Sequence, residues 1–209
     1  LKFKIEQSDF KIGSGKLQKE SINESYIKEI SKKIEIKKKL KIVLDCGNGS
    51  GGVLGPEILR KYSSELIELF CEVDGNFPNH HPDPSEPKNL INLIETVKIE
   101  GADLGIALDG DGDRLGVVDS EGEIIFPDRY LALMAEDTLK KNKSGKIVFD
   151  VKCSNQLDKV IRENDGVPIM TKTGHSFIKS EIARTDAVLG GEMSGCLLYT
   201  SDAADESVC

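Results

Sequence analysis

The chain lacks four things: an excess of basic charge, a CxxC pair, a long apolar run, and an N-terminal apolar segment of the secretory kind. Lys plus Arg total 28 against 36 Asp plus Glu, a net charge of −8. Phosphate backbones and anionic lipids recruit basic faces, so no nucleic-acid partner and no membrane partner are expected. None of the 209 residues forms an apolar stretch long enough to span a bilayer. The five cysteines, at 46, 71, 153, 196 and 209, are odd in number and scattered. That pattern fits a reducing, cytoplasmic compartment rather than a disulfide framework. What is present, 38% hydrophobic and 31% charged residues, is a globular balance with room for one large or two ordinary domains.

Residues 1–5 read as the middle of a strand, with no initiating Met before them. A helix is expected over 25–34, and the Lys-rich run at 32–39 as a solvated helix end and linker. From residue 40 short apolar runs alternate with helical segments. Strands are expected at 40–44, 66–73 and 103–108, helices around 56–62 and 85–99 (the latter entered through Pro87), and a hairpin at 115–118 with 124–126. A second cycle follows, with helices at 130–139, 155–164 and 177–184 and strands at 147–151, 167–170 and 187–189. The tetrapeptide Ile42-Val-Leu-Asp45 recurs as Ile147-Val-Phe-Asp150, each time ending a strand. The pattern predicts an α/β fold of two consecutive units with mixed, mostly parallel sheets and a boundary near 123–128. Residues 196–209 resemble a translated sequencing adapter; they are expected to be a non-native tail and are left out of the fold.

The segment richest in chemistry is Asp109-Gly-Asp-Gly-Asp-Arg114, directly after an expected strand. Asp109, Asp111 and Asp113 alternate with glycines, which let the backbone fold tightly enough for three carboxylates to converge. Oxygen-only ligation suits Mg²⁺ or Ca²⁺ and disfavours zinc. Carboxylates so close repel one another unless a cation lies between them. An EF-hand is excluded because its sixth position is Arg114 instead of Gly and its twelfth is Ser120 instead of Glu. Arg114 adds a fixed positive charge of the kind a transferring phosphoryl group needs.

Gly47-Asn-Gly-Ser-Gly-Gly52 satisfies GxGxxG, with Glu65 and Glu68 near the spacing of a ribose contact. Any tight strand-to-helix turn favours glycine, so a packing turn is the preferred reading over a dinucleotide site. Residues 77–87 hold four of the seven prolines and form a rigid loop; His80 and His81 lack a third spaced ligand, and the loop is expected to pack between the units. Lys152, His175 and Glu192 with Ser194 each follow an expected strand. Ligands sit at the carboxyl ends of strands in such sheets, where these side chains can meet an anionic or hydroxylated substrate.

Taken together, these motifs resemble the α-D-phosphohexomutase superfamily, and within it the bacterial phosphomannomutase/phosphoglucomutase group. The resemblance rests on Val43-Leu-Asp-Cys-Gly-Asn-Gly49, the stretch Cys71–Pro84, Asp109–Arg114, Phe149-Asp-Val-Lys-Cys153, Lys172-Thr-Gly-His-Ser176 and Gly191–Gly195. It implies a four-domain enzyme, of which residues 1–20 are a remnant of the first domain. Residues 21–125 would be the second domain with its metal loop, and 126–195 a truncated third domain with its sugar loop. It further implies that Asp109, Asp111 and Asp113 bind Mg²⁺, that Arg114 and Lys152 are catalytic, and that Lys152, His175, Glu192 and Ser194 contact a phosphorylated hexose. The implied reaction moves a phosphoryl group between O6 and O1 through a phosphoserine and a bisphosphorylated sugar, in a monomer. Holding the 3- and 4-hydroxyls would leave the 2-position unread, admitting glucose and mannose alike. The phosphoserine loop and fourth domain are not among these 209 residues, and Cys196 stands where the group usually has His; the chain alone is expected to be inactive, and its second sheet to have an unpaired edge after Gly195. Phosphoglucosamine mutase shares the metal loop, with Met193 weighing against it. A nucleotide-binding module and a non-catalytic cation-binding protein are the readings from other classes.

Overall fold

Within Leu40–Asp45 (β1) residues 42–44 are an apolar run, and from Ile42 onward every residue is buried. Such a run belongs in the middle of a sheet covered on both faces. In the computed structural model, which describes residues 2–8, 10 and 13–199, β1 pairs in parallel with Ser63–Leu69 (β2) on one side and Leu104–Leu108 (β3) on the other. Leu115–Asp119 (β4) and Ile124–Ile125 (β5) then add antiparallel, giving the order β2-β1-β3-β4-β5. Gly55–Tyr62 (α3) and Ile91–Glu100 (α4) connect the parallel strands. Val43, Leu90, Leu93, Val97, Ala102, Ala107 and Val118 form the core beneath α4.

The second sheet has the order β7-β6-β8-β9, built from Lys146–Asp150 (β6), Val167–Thr171 (β7), Leu189–Gly191 (β8) and Leu197–Tyr199 (β9). Side chains of a strand alternate between faces. Ile147 and Phe149 accordingly join the core with Pro127–Lys141 (α5) and Asn155–Glu163 (α6), while Val148 joins the opposite one with His175–Thr185 (α7). The chain divides into residues 1–34 and residues 35–209, with both sheets in the latter. The first unit contains Lys2–Glu6 (α1) and Asn23–Lys33 (α2). No helix among the described residues is long and apolar enough to cross a membrane.

The structure departs from the expected pattern in four places. Residues 2–6 are helical rather than extended; no strand lies among the described residues of that unit, and a helix satisfies its own backbone groups where an isolated strand has no partner. β2 ends at Leu69 instead of residue 73, because β1 turns away after Asp45 and Phe70 takes a positive φ of 51°. The helix expected over 85–99 begins as a 3-10 turn, Pro87–Leu90, before α4. Most consequentially, residues 196–199 are part of the fold. A turn closed by Gly195 N–H to Glu192 O (3.0 Å) returns the chain along β8, so the edge expected to be unpaired is paired by β9. Cys196 and Leu198, each 2% exposed, complete the core against Ile178 and Ile182. Residues 200–209 lie outside the described residues.

Candidate active site

The acidic motif is the tip of the β3–β4 hairpin. Asp109 is buried, Asp111 exposed and Asp113 between the two, and one carboxylate oxygen from each lies within 4.8 Å of the others. In an octahedral Mg²⁺ site with oxygens at about 2.1 Å, opposite ligands are about 4.2 Å apart and adjacent ones about 3 Å, so the three oxygens gather around one ion by closing at most about 2 Å, within the reach of side-chain rotation. The donor set fits a hard divalent cation that keeps water or a ligand in its remaining positions. Burial, then the charges of Asp109 and Asp111, push the Asp113 carboxyl up to about 6. A carboxyl whose folded value lies above its unfolded one favours the folded state when protonated. Without metal, the wild type should therefore lose stability relative to Asp113→Asn as pH rises from about 4 to about 6, with the difference constant above that. Urea unfolding of both proteins across that window reads it directly.

Arg114 follows the third aspartate, and its orientation is fixed from three sides. Its Nε donates to Asp109 Oδ2 at 2.7 Å and its backbone N–H to Asp109 Oδ1 at 3.1 Å. Nη1 donates to Asp83 Oδ1 at 3.2 Å, an oxygen that also accepts from the Ser85 N–H (3.1 Å) and Ser85 hydroxyl (2.7 Å). Asp83 lies between Pro82 and Pro84 in the rigid loop, and Pro84 packs over β4 where a side chain on Gly116 would come within 2.6 Å of it. The loop is thus seated on the first sheet and presents Asp83 to Arg114. Nη2 makes no hydrogen bond among the described residues, which leaves that edge of the guanidinium available to an anion. Asp83 was not among the expected site residues; its flanking prolines were the only signal.

Beneath the hairpin tip lies the Gly47–Gly52 turn. Five of its six amides are engaged within the protein: Gly47 with Asp45 Oδ1, Asn48 with Phe70 O, Gly49 with Cys46 O, Ser50 with Gly110 O and Gly52 with Gly49 O. Gly49 is held so close that a side chain there would meet Gly110 O at 2.7 Å. Glu68 pairs with Arg60 and Glu65 with Lys41. The turn therefore supports the acidic loop and offers no cradle for a pyrophosphate. His80 is no metal ligand here either: its Nε2 lies 3.0 and 3.2 Å from the two oxygens of the fully buried Asp45.

Three further strand-end loops lie in sequence from this point. Arg114 and Cys196 form an antiparallel bridge, and Leu115 N–H donates to Gly195 O at 3.3 Å, joining the acidic hairpin to the 192–195 turn. Glu192, 7% exposed, accepts from Gly174 N–H (2.8 Å) on one oxygen and from the Ser194 hydroxyl (2.5 Å) on the other. Each oxygen thus already holds one donor. Thr173 donates to the fully buried Asp150 at 2.9 Å, tying the loop before α7 to the end of β6. Asp45 and Asp150, the last residues of the recurring tetrapeptide, are both buried carboxylates that pin the loop beyond the neighbouring parallel strand. Lys152, just after β6, and His175, the first residue of α7, are exposed and make no hydrogen bond to the acidic triad among the described residues. The structure brings the loops together, and leaves Lys152 and His175 open to solvent.

Comparison with known proteins identifies the two α/β units. Residues 24–122 match phosphoglucomutase/phosphomannomutase, alpha/beta/alpha domain II, and residues 126–207 match alpha/beta/alpha domain III of the same family. The chain belongs to the phosphoglucomutase/phosphomannomutase family. It is 49% identical over 192 residues to a phosphomannomutase/phosphoglucomutase of Pseudomonas putida, covering 92% of this chain and 42% of that protein. It is 48% identical over 185 residues to a phosphoglucomutase of Neisseria meningitidis, covering 88% of this chain and 40% of that one. A crystal structure of a phosphoglucomutase/phosphomannomutase family protein from Burkholderia thailandensis superposes with a TM-score of 0.89 at 44% identity, over 95% of this chain and 43% of that chain. The chain thus spans about two fifths of the length of these family members.

Proposed function

We propose that the chain supplies the metal loop and the sugar loop of an enzyme that interconverts hexose 6-phosphate and hexose 1-phosphate, with glucose or mannose as the sugar. The observation that carries this reading is the pairing of three convergent carboxylates with a guanidinium held between Asp109 and Asp83. Asp109, Asp111 and Asp113 would hold Mg²⁺, which supplies positive charge against phosphoryl oxygens. Arg114, with its free edge, would hold the transferring group in line, so that positioning and electrostatics do most of the work. Lys152 and His175 would meet the phosphate end of the substrate. Glu192, oriented by Gly174 and Ser194, would accept hydrogen bonds from two sugar hydroxyls through its remaining lone pairs. The phosphoserine would come from outside these residues, and the enzyme would be a cytoplasmic monomer.

The test is a chimera in which this segment replaces its counterpart in the Pseudomonas putida relative. We expect mannose 1-phosphate to be converted to the 6-phosphate, and Arg114→Ala to lower the rate at least about a thousandfold. A folded chimera without turnover would overturn the proposal. The 209-residue chain alone is expected to give no conversion of glucose 1-phosphate, and measurable turnover by it would contradict the division of labour.

A further inference from the structure

Cys46 lies just beyond the end of β1, and Cys71 two residues beyond the end of β2, the strand beside it. Their sulfurs are 3.2 Å apart, against about 2.05 Å in a disulfide. Cys46 is fully buried, whereas Cys71 is only half-buried, its Sγ also lying 3.5 Å from Leu69 O. Cys153, by contrast, is buried and donates to Asp150 at 3.1 Å.

We propose that Cys46 and Cys71 form an oxidative modification site, a dithiol that a peroxide converts to an intramolecular disulfide, and that this change weakens cation binding at the acidic loop above it. The two thiols differ in role. The hydrogen bond shared with Cys46 holds the Cys71 thiol below its ordinary range, although burial, Glu68 and Asp45 oppose the effect; the same bond, with burial, pushes Cys46 up. The Cys71 thiolate attacks one peroxide oxygen, the O–O bond breaks, and the departing hydroxide leaves as water once protonated. The Cys46 sulfur then attacks the Cys71 sulfenic sulfur, its proton leaving with the hydroxyl as a second water. Two thiols and one hydrogen peroxide give one disulfide and two waters.

The coupling to the acidic loop is through the backbone. Cys46 O accepts from Gly49 N–H at 2.7 Å, and the next amide, Ser50 N–H, donates to Gly110 O at 2.9 Å. Drawing the sulfurs together by roughly 1 Å moves the turn on which Asp109 and Gly110 rest.

The experiment uses the 209-residue chain carrying Cys209→Ser, treated with equimolar hydrogen peroxide, alkylated and digested. We expect two thiols lost per chain, with the Cys46 and Cys71 peptides linked, and no linkage in Cys71→Ser or Cys46→Ala. Linkage of other cysteines, or Cys71 stopped at the sulfenic or sulfinic acid with Cys46 reduced, would overturn the site. Calorimetric titration with Mg²⁺ should give about tenfold weaker binding after oxidation, the low end for changes behind a ligand shell. Equal affinity would overturn the coupling. This second readout rests on the proposed metal loop: absence of Mg²⁺ binding by the reduced chain would overturn that loop's role, while the linked peptides decide the thiol site by themselves.

Discussion

Asp111→Asn should weaken Mg²⁺ binding by about a hundredfold while making the metal-free protein more stable. Loss of a direct carboxylate ligand belongs at or above the upper end of the effects seen for groups that merely orient ligands. The gain in metal-free stability arises because Asp111 is one of the charges that, after burial and Asp109, hold the Asp113 carboxyl at about 6. At a Mg²⁺ concentration a hundred times the wild-type Kd, metal stabilises the wild type by about 2.7 kcal/mol and the variant by only about 0.4 kcal/mol. Unfolding midpoints with and without Mg²⁺ separate the two effects. An aspartate serving only the hairpin's structure would show the opposite pattern, with lower stability in the absence of metal and no change in the increment that metal adds.

His80→Ala should cost about 3 kcal/mol of folding stability, although His80 itself lies near the surface. Its Nε2 faces both oxygens of Asp45, a carboxylate with no exposed surface whose other donor among the described residues is the Gly47 N–H at 2.8 Å. Removing the imidazole leaves that carboxylate buried and under-satisfied, which costs more than the contact itself contributed. Burial already raises the Asp45 carboxyl against the lowering by Gly47 and His80, so the variant should hold its proton to higher pH. His81→Ala is the control: that side chain is exposed, and the change should fall within about 0.5 kcal/mol. Urea denaturation of the pair decides the matter, and equal, small losses in both would mean that the Asp45–His80 contact carries no weight.

The features legible from the residues were those whose cause is local. The apolar runs at 42–44 and 147–149 mark central strands because both faces of such strands are covered. The alternating aspartates and glycines mark a convergent loop because few other conformations suit that composition, and the carboxylates do converge. Features set by distant partners were not legible. The end of β2 depends on where β1 turns, and nothing in residues 70–73 announces it. Whether residues 1–5 extend or coil depends on a neighbouring strand, and their alternation alone misleads. Residues 196–199 were set aside for the resemblance of the string they begin, while their alternation of buried Cys196 and Leu198 with more exposed Leu197 and Tyr199 is what a sheet edge requires. Asp83 is 31 positions from Arg114, and only the folded loop brings them together. Lys152 and His175 were singled out by their position after strands, a topological argument that assigns them no partners, and both are exposed.

The direct test of the acidic loop is a crystal of the chain grown with Mn²⁺ in place of Mg²⁺ and read by anomalous scattering. The account predicts a single strong peak about 2.1–2.2 Å from one oxygen each of Asp109, Asp111 and Asp113, beside the Arg114 guanidinium. A peak elsewhere, or none, with the three carboxylates turned apart, would contradict it.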